Sequence, residues 1–439
     1  MANNDKKPQE DSWKSTVRHA VLTDVGMRRA INQDSMGVML AESQESWDRL
    51  GHLFLVADGM GAHAAGERAS QLAVDLIPQN YRKNAGQTPA ESLHQAIVEA
   101  NSDIFRRGQA NIEFRSMGTT CSVLTLLPEG AVVAHVGDSR VYQLHGDNLY
   151  QLTFDHSLVW EMQAAGEVTD ETARSGVIPK NVITRSLGPN ASVEVDLEGP
   201  FPVRLGDRYL LCSDGLSGQV TDEEIGTILE VLNPKDAAQL FIDLSNLRGG
   251  PDNITAIVVE VADEKMVTSH QGSITLRRPV TRPSFSPALG VVSAVCILLA
   301  LVFWFVVPSN PAYAIVTGIL GLVALAAGIA QVTLASGNST PQNTRYGNGP
   351  YRQYRANAHQ QLFEHLAGTM KSLREAAEER KWVIKWKALD EHFAKACKLA
   401  DQDKFAEAFS LQSKVIIELM SQIRDQRKLE EKSDSSIDL

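Results

Sequence analysis

Four aspartates in this 439-residue chain each stand where an apolar run meets glycine: Asp58 in Val56-Ala57-Asp58-Gly59-Met60-Gly61, Asp138 in Gly137-Asp138-Ser139-Arg140, Asp214 in Ser213-Asp214-Gly215-Leu216, and Asp252 in Gly250-Pro251-Asp252-Asn253. Where such strand ends converge in a folded sheet, the carboxylates repel one another unless a cation neutralises them. Hard oxygen ligands without histidine or cysteine suit Mg²⁺ or Mn²⁺ rather than Zn²⁺. Two such ions sharing one carboxylate would activate a water and clamp a phosphoryl oxygen. A planar guanidinium fork that grips phosphate is available at Arg29, in the same short stretch as a further acid, Asp34. Spacing alone does not separate this reading from four unrelated Asp-Gly turns.

The elements that would position these residues are legible as runs. Leu53 to Ala57 reads as a buried strand, and glycines at 59, 61 and 66 let the following backbone turn sharply. A helix is expected from near Ala64, with Ala65, Ala69, Leu72, Ala73, Leu76 and Ile77 on one face, and another from Ser92 to Arg106. Met117 to Leu126, Ala131 to Val136, Val141 to Leu144 and Leu149 to Leu152, broken by Gly/Asp turns, predict an antiparallel meander. Phe154 to Leu187 carries Gly166, Gly176 and Pro179 and reads as an irregular insert. A strand leads into Asp214, helices follow at Asp222–Leu232 and Pro234–Leu247, and Asp252 precedes a β-branched strand. The formal net charge of −11 argues against a nucleic-acid partner. Cys121, Cys212, Cys296 and Cys397 are scattered without a C-x-x-C spacing and read as small buried hydrophobes in a reducing compartment. The polar N-terminus lacks an apolar h-region, so no signal peptide is expected.

In chain order the motifs are R-x-x-N-x-D at Arg29–Asp34, DGMG at Asp58–Gly61, GTT at Gly118–Thr120, GDSR at Gly137–Arg140, SDGL at Ser213–Leu216 and DN at Asp252-Asn253. This series resembles the metal-dependent serine/threonine protein phosphatases of the type 2C (PPM) family in their bacterial form. The resemblance implies an α+β fold, an α/β/β/α sandwich of two antiparallel sheets flanked by helices. It implies a hydrolase that cleaves phosphoserine and phosphothreonine with a water activated by two Mn²⁺ or Mg²⁺ ions, in signalling through phosphorylated proteins. Carried over by position, Asp58 bridges the two metals and Gly59 adds its carbonyl. Asp214 and Asp252 complete the first site, and Asp138 helps hold a third, looser ion. Arg29 binds the substrate phosphate and Asp34 orients the attacking water, these two being the catalytic pair. The 154–187 insert matches the family's flap. Gln33 stands where many members have glutamate, and Met60 where some have a histidine. His63 and His156 are nearby stand-ins for that histidine, although a structural role is the simpler reading of each.

Beyond the phosphatase-like region at 16–262, which follows a polar tail at 1–15, the composition changes. Residues 263–287 mix charges, Ser, Thr and Pro as linkers do. Residues 288–307 and 312–335 carry no charge, and each has about the 20 apolar residues that a bilayer crossing needs. Together, 288–335 predicts a two-helix transmembrane hairpin, turning at Pro308–Pro311. Arg277, Arg278 and Arg282 precede it and Arg345, Arg352 and Arg355 follow it, which places both flanks in the cytoplasm. The expected location is the inner (plasma) membrane, multi-pass, with both termini cytoplasmic. Residues 336–357 read as a second linker. Residues 358–428 carry three apolar stripes that predict a small all-α region, an antiparallel helical unit that self-associates or takes a protein partner through Trp382, Trp386 and Phe393. An acidic tail at 429–439 reads as disordered. Against the enzyme stands the alternative of a catalytically weak, phosphoprotein-binding scaffold, which has Gln33 as its sequence support.

Overall fold

Continuous apolar runs bounded by glycine and acid build two antiparallel sheets. One has the order β1 (Val17–Asp24), β11 (Ile254–Val261), β10 (Arg208–Cys212), β7 (Arg140–His145), β8 (Asn148–Gln151) and β12 (Arg352–Arg355). The other has the order β2 (Asp34–Met39), β3 (His52–Met60), β5 (Cys121–Leu127), β6 (Gly130–Val136) and β9 (Asp196–Phe201), with the short β4 (Gly118–Thr119) pairing with the end of β3. This computed structural model describes residues 13–61, 64–84, 87–169, 172, 178–179, 182–268, 274, 287–306, 311–335 and 346–434, with backbone alone at 287–290, 325, 327–335 and 428–434. Outside the described residues lie most of both terminal tails, His63, the arginines Arg277, Arg278, Arg282 and Arg345, and the turn residues Pro308, Ser309 and Asn310.

The sheets face each other across a dry layer in which Phe54, Val56, Leu124 and Val133 meet Val141, Tyr209, Leu211 and Ile257. Helices α2 (Ala65–Lys83) and α3 (Pro89–Ala110) cover the outer face of one sheet through Ala69, Ile77, Leu93 and Ile97. Helices α6 (Asp222–Val231) and α7 (Pro234–Leu247) cover the other through Ile225, Ile228, Phe241 and Leu244. Their ends follow local chemistry. Thr88 and Glu91 form a capping box at the start of α3, Thr221 and Glu224 form one at α6, and Asn233 caps α7 ahead of Pro234. The result is the expected sandwich of two antiparallel sheets flanked by helices.

Several expectations require correction. The tail read as disordered over 1–15 gives way at Trp13, which opens a 3-10 turn (Trp13–Thr16) and stacks on Trp47 with centroids 4.8 Å apart, and the tail read as disordered from 429 is helical as far as Asp434. The strands from 117 to 152 do not form one meander, because β6 pairs with β5 and β9 whereas β7 pairs with β8 and β10. The chain changes sheet at Gly137-Asp138-Ser139, where Gly137 adopts φ 115° and a Cβ would strike the Thr120 side chain. Alternation shows that a run is a strand but not which strand it joins. The stretch read as a linker at 336–357 is also partly structural. Tyr346 bridges Gly199, the Gly349 N–H donates to Glu198 Oε2 at 2.7 Å, and β12 then adds an edge strand beside β8. Polar composition concealed it, since an edge strand buries little apolar surface.

The three apolar stripes near the C-terminus are helices α10 (Gln360–Glu379), α11 (Trp386–Ala400) and α12 (Phe405–Asp434). They are not self-contained. Leu362 and Leu366 of α10 and Phe409, Ile416 and Leu419 of α12 pack into the layer that α6 and α7 form on their sheet. Trp382 and Trp386 are part-buried against the same layer, and Phe393 stacks on Phe363 with ring centroids 6.5 Å apart. The aromatics expected to face a partner are therefore largely engaged within the chain. Helices α8 (Pro287–Val306) and α9 (Ala312–Ala335) form a separate unit with residues 277–344 and pair with each other. Among the described residues no helix is long and apolar enough to cross a membrane. The side chains described in this unit start at Val291 and break off within α9, so a full span over 288–307 and 312–335 has no counterpart among them.

The docking of α12 supplies a test. Arg424 donates to Asp243 on α7, whose carboxylate is fully buried, and that burial raises its pKa to about 6 against the opposing pull of Arg424. A carboxyl raised in this way costs folding stability as the pH climbs through the folded value, and costs nothing below the unfolded value, where both states are protonated. R424A should lower stability by about 1–3 kcal/mol near about pH 8, since it leaves a buried charge without its partner. The deficit should shrink as the pH falls through 6, and denaturant titrations that find it constant would contradict this assignment.

Candidate metal centre

Asp58 lies two residues before the end of β3, and its peptide is fixed from both sides. Its N–H donates to Thr120 Oγ1 at 2.9 Å, and its carbonyl accepts from the Thr120 N–H at 2.8 Å and from Thr119 Oγ1 at 2.9 Å. Thr120 Oγ1 lies 2.8 Å from Ser139 Oγ, so the GTT and GDSR motifs hold Asp58 in place together. Asp34 opens β2 opposite Asp58. Its Oδ2 accepts from Ser213 Oγ and Thr255 Oγ1, each at 2.7 Å, which ties one sheet to the other. Asn253 secures the loop before Asp34: its amide donates to the carbonyls of Val25 at 2.9 Å and Ile31 at 3.0 Å, and its Oδ1 accepts from the Gln33 N–H at 2.8 Å. Gly215 is needed because a Cβ there would run into the Asn253 carbonyl.

The carboxylates so placed crowd one another. Burial, with help from Asp214 and Asp252, raises Asp34 to about 7 despite the two hydroxyls that it accepts from. Burial followed by Asp214 and Asp155 raises Asp138 to about 8. Asp58 is pushed well above the carboxylate range by burial, then by Asp34, Asp214, Asp138 and Asp252. Asp214 is raised by burial and by Asp252, and lies within hydrogen-bond reach of Asp58. The buried Oδ1 atoms of Asp34, Asp138 and Asp214 have no hydrogen-bond partner. Buried anions left so are expensive, and a divalent cation is what would satisfy them. Among the described residues no three His, Cys, Asp or Glu side chains together enclose a metal position. An all-oxygen donor set of this kind fits Mn²⁺ or Mg²⁺.

Asp138, Asp214 and Asp252 line a cleft of about 890 Å³ together with Arg29, whereas Asp34 and Asp58 do not reach its wall. Arg29 Nη2 donates to Asp252 Oδ2 at 2.7 Å, which places the fork beside the acids. Gly59 follows Asp58 directly; its N–H donates to the Gln33 carbonyl at 3.1 Å, and a Cβ would collide with the Gly66 carbonyl. All seven residues singled out in the sequence thus lie in or beside one neighbourhood. His156 is fully buried, accepting from the Gly137 N–H at 3.0 Å and lying 2.9 Å from Asp196, so its role is structural. Sequence reasoning passed over Ser213, Thr255 and Asn253 as partners of Asp34 and its loop. It also passed over Arg140, which grips Asp155 through Nε and Nη2 at 2.8 and 2.7 Å in the cleft wall. The GDSR arginine was a visible signal for that pair. For Trp160 of α4 (Leu158–Ala164) and Arg352 of β12, which also line the cleft, there was none.

Gathered carboxylates with orphaned oxygens, beside a phosphate-sized fork in one polar cleft, define the centre of a metal-dependent phosphohydrolase. Residues 27–247 match the model of the protein phosphatase 2C family. The serine/threonine phosphatase stp of Listeria innocua is 37% identical over 243 residues, 54% of this chain and 93% of the relative. The crystal structure of the Mycobacterium tuberculosis serine/threonine phosphatase PstP/Ppp is 35% identical, with a TM-score of 0.50 over 56% of this chain and 99% of that one. The catalytic domain of PstP in complex with 2 manganese ions is 34% identical over the same shares, with a TM-score of 0.48. The chain belongs to the protein phosphatase 2C family and is a metal-dependent serine/threonine protein phosphatase.

Proposed function

We propose that this is a membrane-tethered phosphatase that removes phosphate from serine and threonine residues of other proteins at the Asp58 centre. The observation that carries the assignment of the site is the crowding of Asp34, Asp58, Asp138, Asp214 and Asp252, three of which line a cleft with Arg29. In this reading the Asp58, Asp214 and Asp252 carboxylates and the Gly59 carbonyl would hold two Mn²⁺ or Mg²⁺ ions, and Asp138 would help hold a third more loosely. When bound, the ions supply an activated water and neutralise the phosphoryl oxygens. Arg29, already turned toward Asp252, takes two phosphate oxygens in its fork. Asp34, held by Ser213 and Thr255, accepts a proton from the attacking water and keeps it oriented.

The tether rests on the sequence and on exposure. Helices α8 and α9 contain no charged residue, and Leu298, Phe305 and Leu322 are 63%, 77% and 61% exposed. Such side chains are costly in water and at home in lipid. Two spans at 288–307 and 312–335, with arginines on both flanks, keep the catalytic domain and the C-terminal helices in the cytoplasm at the inner membrane. The C-terminal region then has the catalytic domain as its first partner, and any self-association uses the faces of α10 to α12 left outside that contact.

Three outcomes test these assignments. Asp214→Asn or Asp252→Asn, which keep shape and remove an anion, should reduce Mn²⁺-dependent hydrolysis of a phosphothreonine peptide by at least about a hundredfold with the fold intact by circular dichroism. Near wild-type turnover in either would refute the ligand set. In spheroplasts, protease added outside should leave both 16–262 and 346–434 intact, and cleavage within 346–434 would refute the hairpin. Gln33 Nε2 lies 3.5 Å from the Gly61 carbonyl, beside the Gly59 turn. A full negative charge at position 33 should lower the Mn²⁺ needed for half-maximal activity about tenfold, roughly 1.4 kcal/mol. Identical Mn²⁺ titrations of wild type and Gln33→Glu would remove position 33 from the metal electrostatics.

A further inference from the structure

One wall of the cleft comes from outside the region that the family model covers. The match ends at residue 247, whereas Arg352 and Tyr354 on β12 line the same cleft as Arg29, Asp214 and Asp252. The segment that carries them is firmly seated. Glu198, 2% exposed, accepts from the Gly349 N–H at 2.7 Å and from the Tyr351 hydroxyl at 2.5 Å, and β12 is in register with β8 from Arg352 opposite Gln151 to Arg355 opposite Asn148.

The three arginines of the cleft differ in what they hold. Arg29 is paired with Asp252, and Arg140 is locked onto Asp155. Arg352 instead sits over the Trp160 ring, its Cζ 3.8 Å from the ring centroid; its charge reaches the Asp155 carboxylate, but that carboxylate is gripped by Arg140 and not by Arg352. Trp160 is itself braced edge-on by Phe154 at 5.5 Å, and Phe154 by Tyr351 at 5.4 Å. A guanidinium stacked on an aromatic face keeps its N–H edge in plane and available, with little rotamer freedom left to lose on binding. The cleft is roomy enough for more than a single phosphorylated side chain.

We propose that Arg352 is a second anion-reading position in this cleft. It takes an acidic or phosphorylated side chain that neighbours the phosphoresidue being hydrolysed, and so makes the C-terminal segment part of substrate selection. This rests on the phosphatase reading of the Asp58 centre. Arg352 acts on binding and not on the reacting bond, so its effect belongs in KM and leaves kcat in place.

The test uses full-length protein with Mn²⁺ and a set of phosphothreonine peptides that differ in one flanking residue: alanine, glutamate, a second phosphoserine, or lysine. The readout is the ratio of kcat/KM for each anionic peptide to that for the alanine peptide. R352A should lower this ratio roughly tenfold through KM, the scale of one charge-assisted contact. Arg352→Lys should retain part of the preference, and Arg352→Glu should turn it toward the lysine peptide. A loss with the second phosphoserine alone identifies a phosphate reader, and a loss with both anions a general acid reader; either supports the proposal. Wild-type enzyme that shows no anionic preference, or ratios unchanged in all three variants, overturns it. Turnover of p-nitrophenyl phosphate by wild type is measured alongside: its absence removes the phosphatase reading itself, whereas turnover with equal peptide ratios removes only the role of Arg352.

Discussion

Repulsion among like charges is the constraint on which the rest of this structure depends. Asp34 and Asp58 come from paired strand ends in one sheet, Asp214 and Asp252 from the end of β10 and the approach to β11 in the other, and Asp138 from the crossover between them. Asp34, Asp58, Asp138 and Asp214 would not remain buried beside one another as anions without compensation, and their raised pKa values express that conflict. Left alone, the cluster would hold protons near neutral pH. A divalent cation would resolve the same conflict by replacing protons with a fixed charge.

Holding the acids against that repulsion falls to neutral donors that link the two sheets. Ser213 and Thr255 reach from one sheet to Asp34 in the other, Thr119 and Thr120 clamp the Asp58 peptide, and Asn253 secures the Arg29–Asp34 loop through three backbone groups. The dry layer between the sheets fixes their separation, and these hydrogen bonds fix their register at the edge where the cleft opens. Hydroxyl and amide donors suit this task because they stabilise the anions without competing for metal as a lysine or arginine would.

What the sequence made legible follows from how local each feature is. The Asp-Gly turns after apolar runs and the apolar faces of α2 and α3 are set by neighbours within a turn or two, and the structure has strands running into Asp58 and Asp214 and buries those faces; the Thr88 and Thr221 capping boxes are equally local but were not read. Partner choice is not local. The link from β6 to β7 has the glycine and aspartate of a hairpin, yet it carries the chain from one sheet to the other, which is why Asp138 faces the remaining acids and not solvent. In the same way the stripes of α10 and α12 were visible as stripes, but nothing in their spacing said that α6 and α7 would cover them. Ser213 and Thr255 escaped notice because a hydroxyl carries no sequence signal until the acid that it serves is brought within reach.

The position of β12 follows from an unfinished edge. Without it β8 would end the sheet with a row of unpaired backbone groups beside the cleft, the kind of edge that recruits other chains. A four-residue strand with arginine at each end satisfies β8 and then blunts its own outer edge with charge. Because Arg352 faces the cleft from this strand, its surroundings can change without touching the Asp58 peptide or the hydroxyls that hold Asp34. The candidate metal centre and this wall of the cleft are therefore built by separable parts of the chain: the first by strand ends fixed between two sheets, the second by a strand after residue 345 that is held through Glu198.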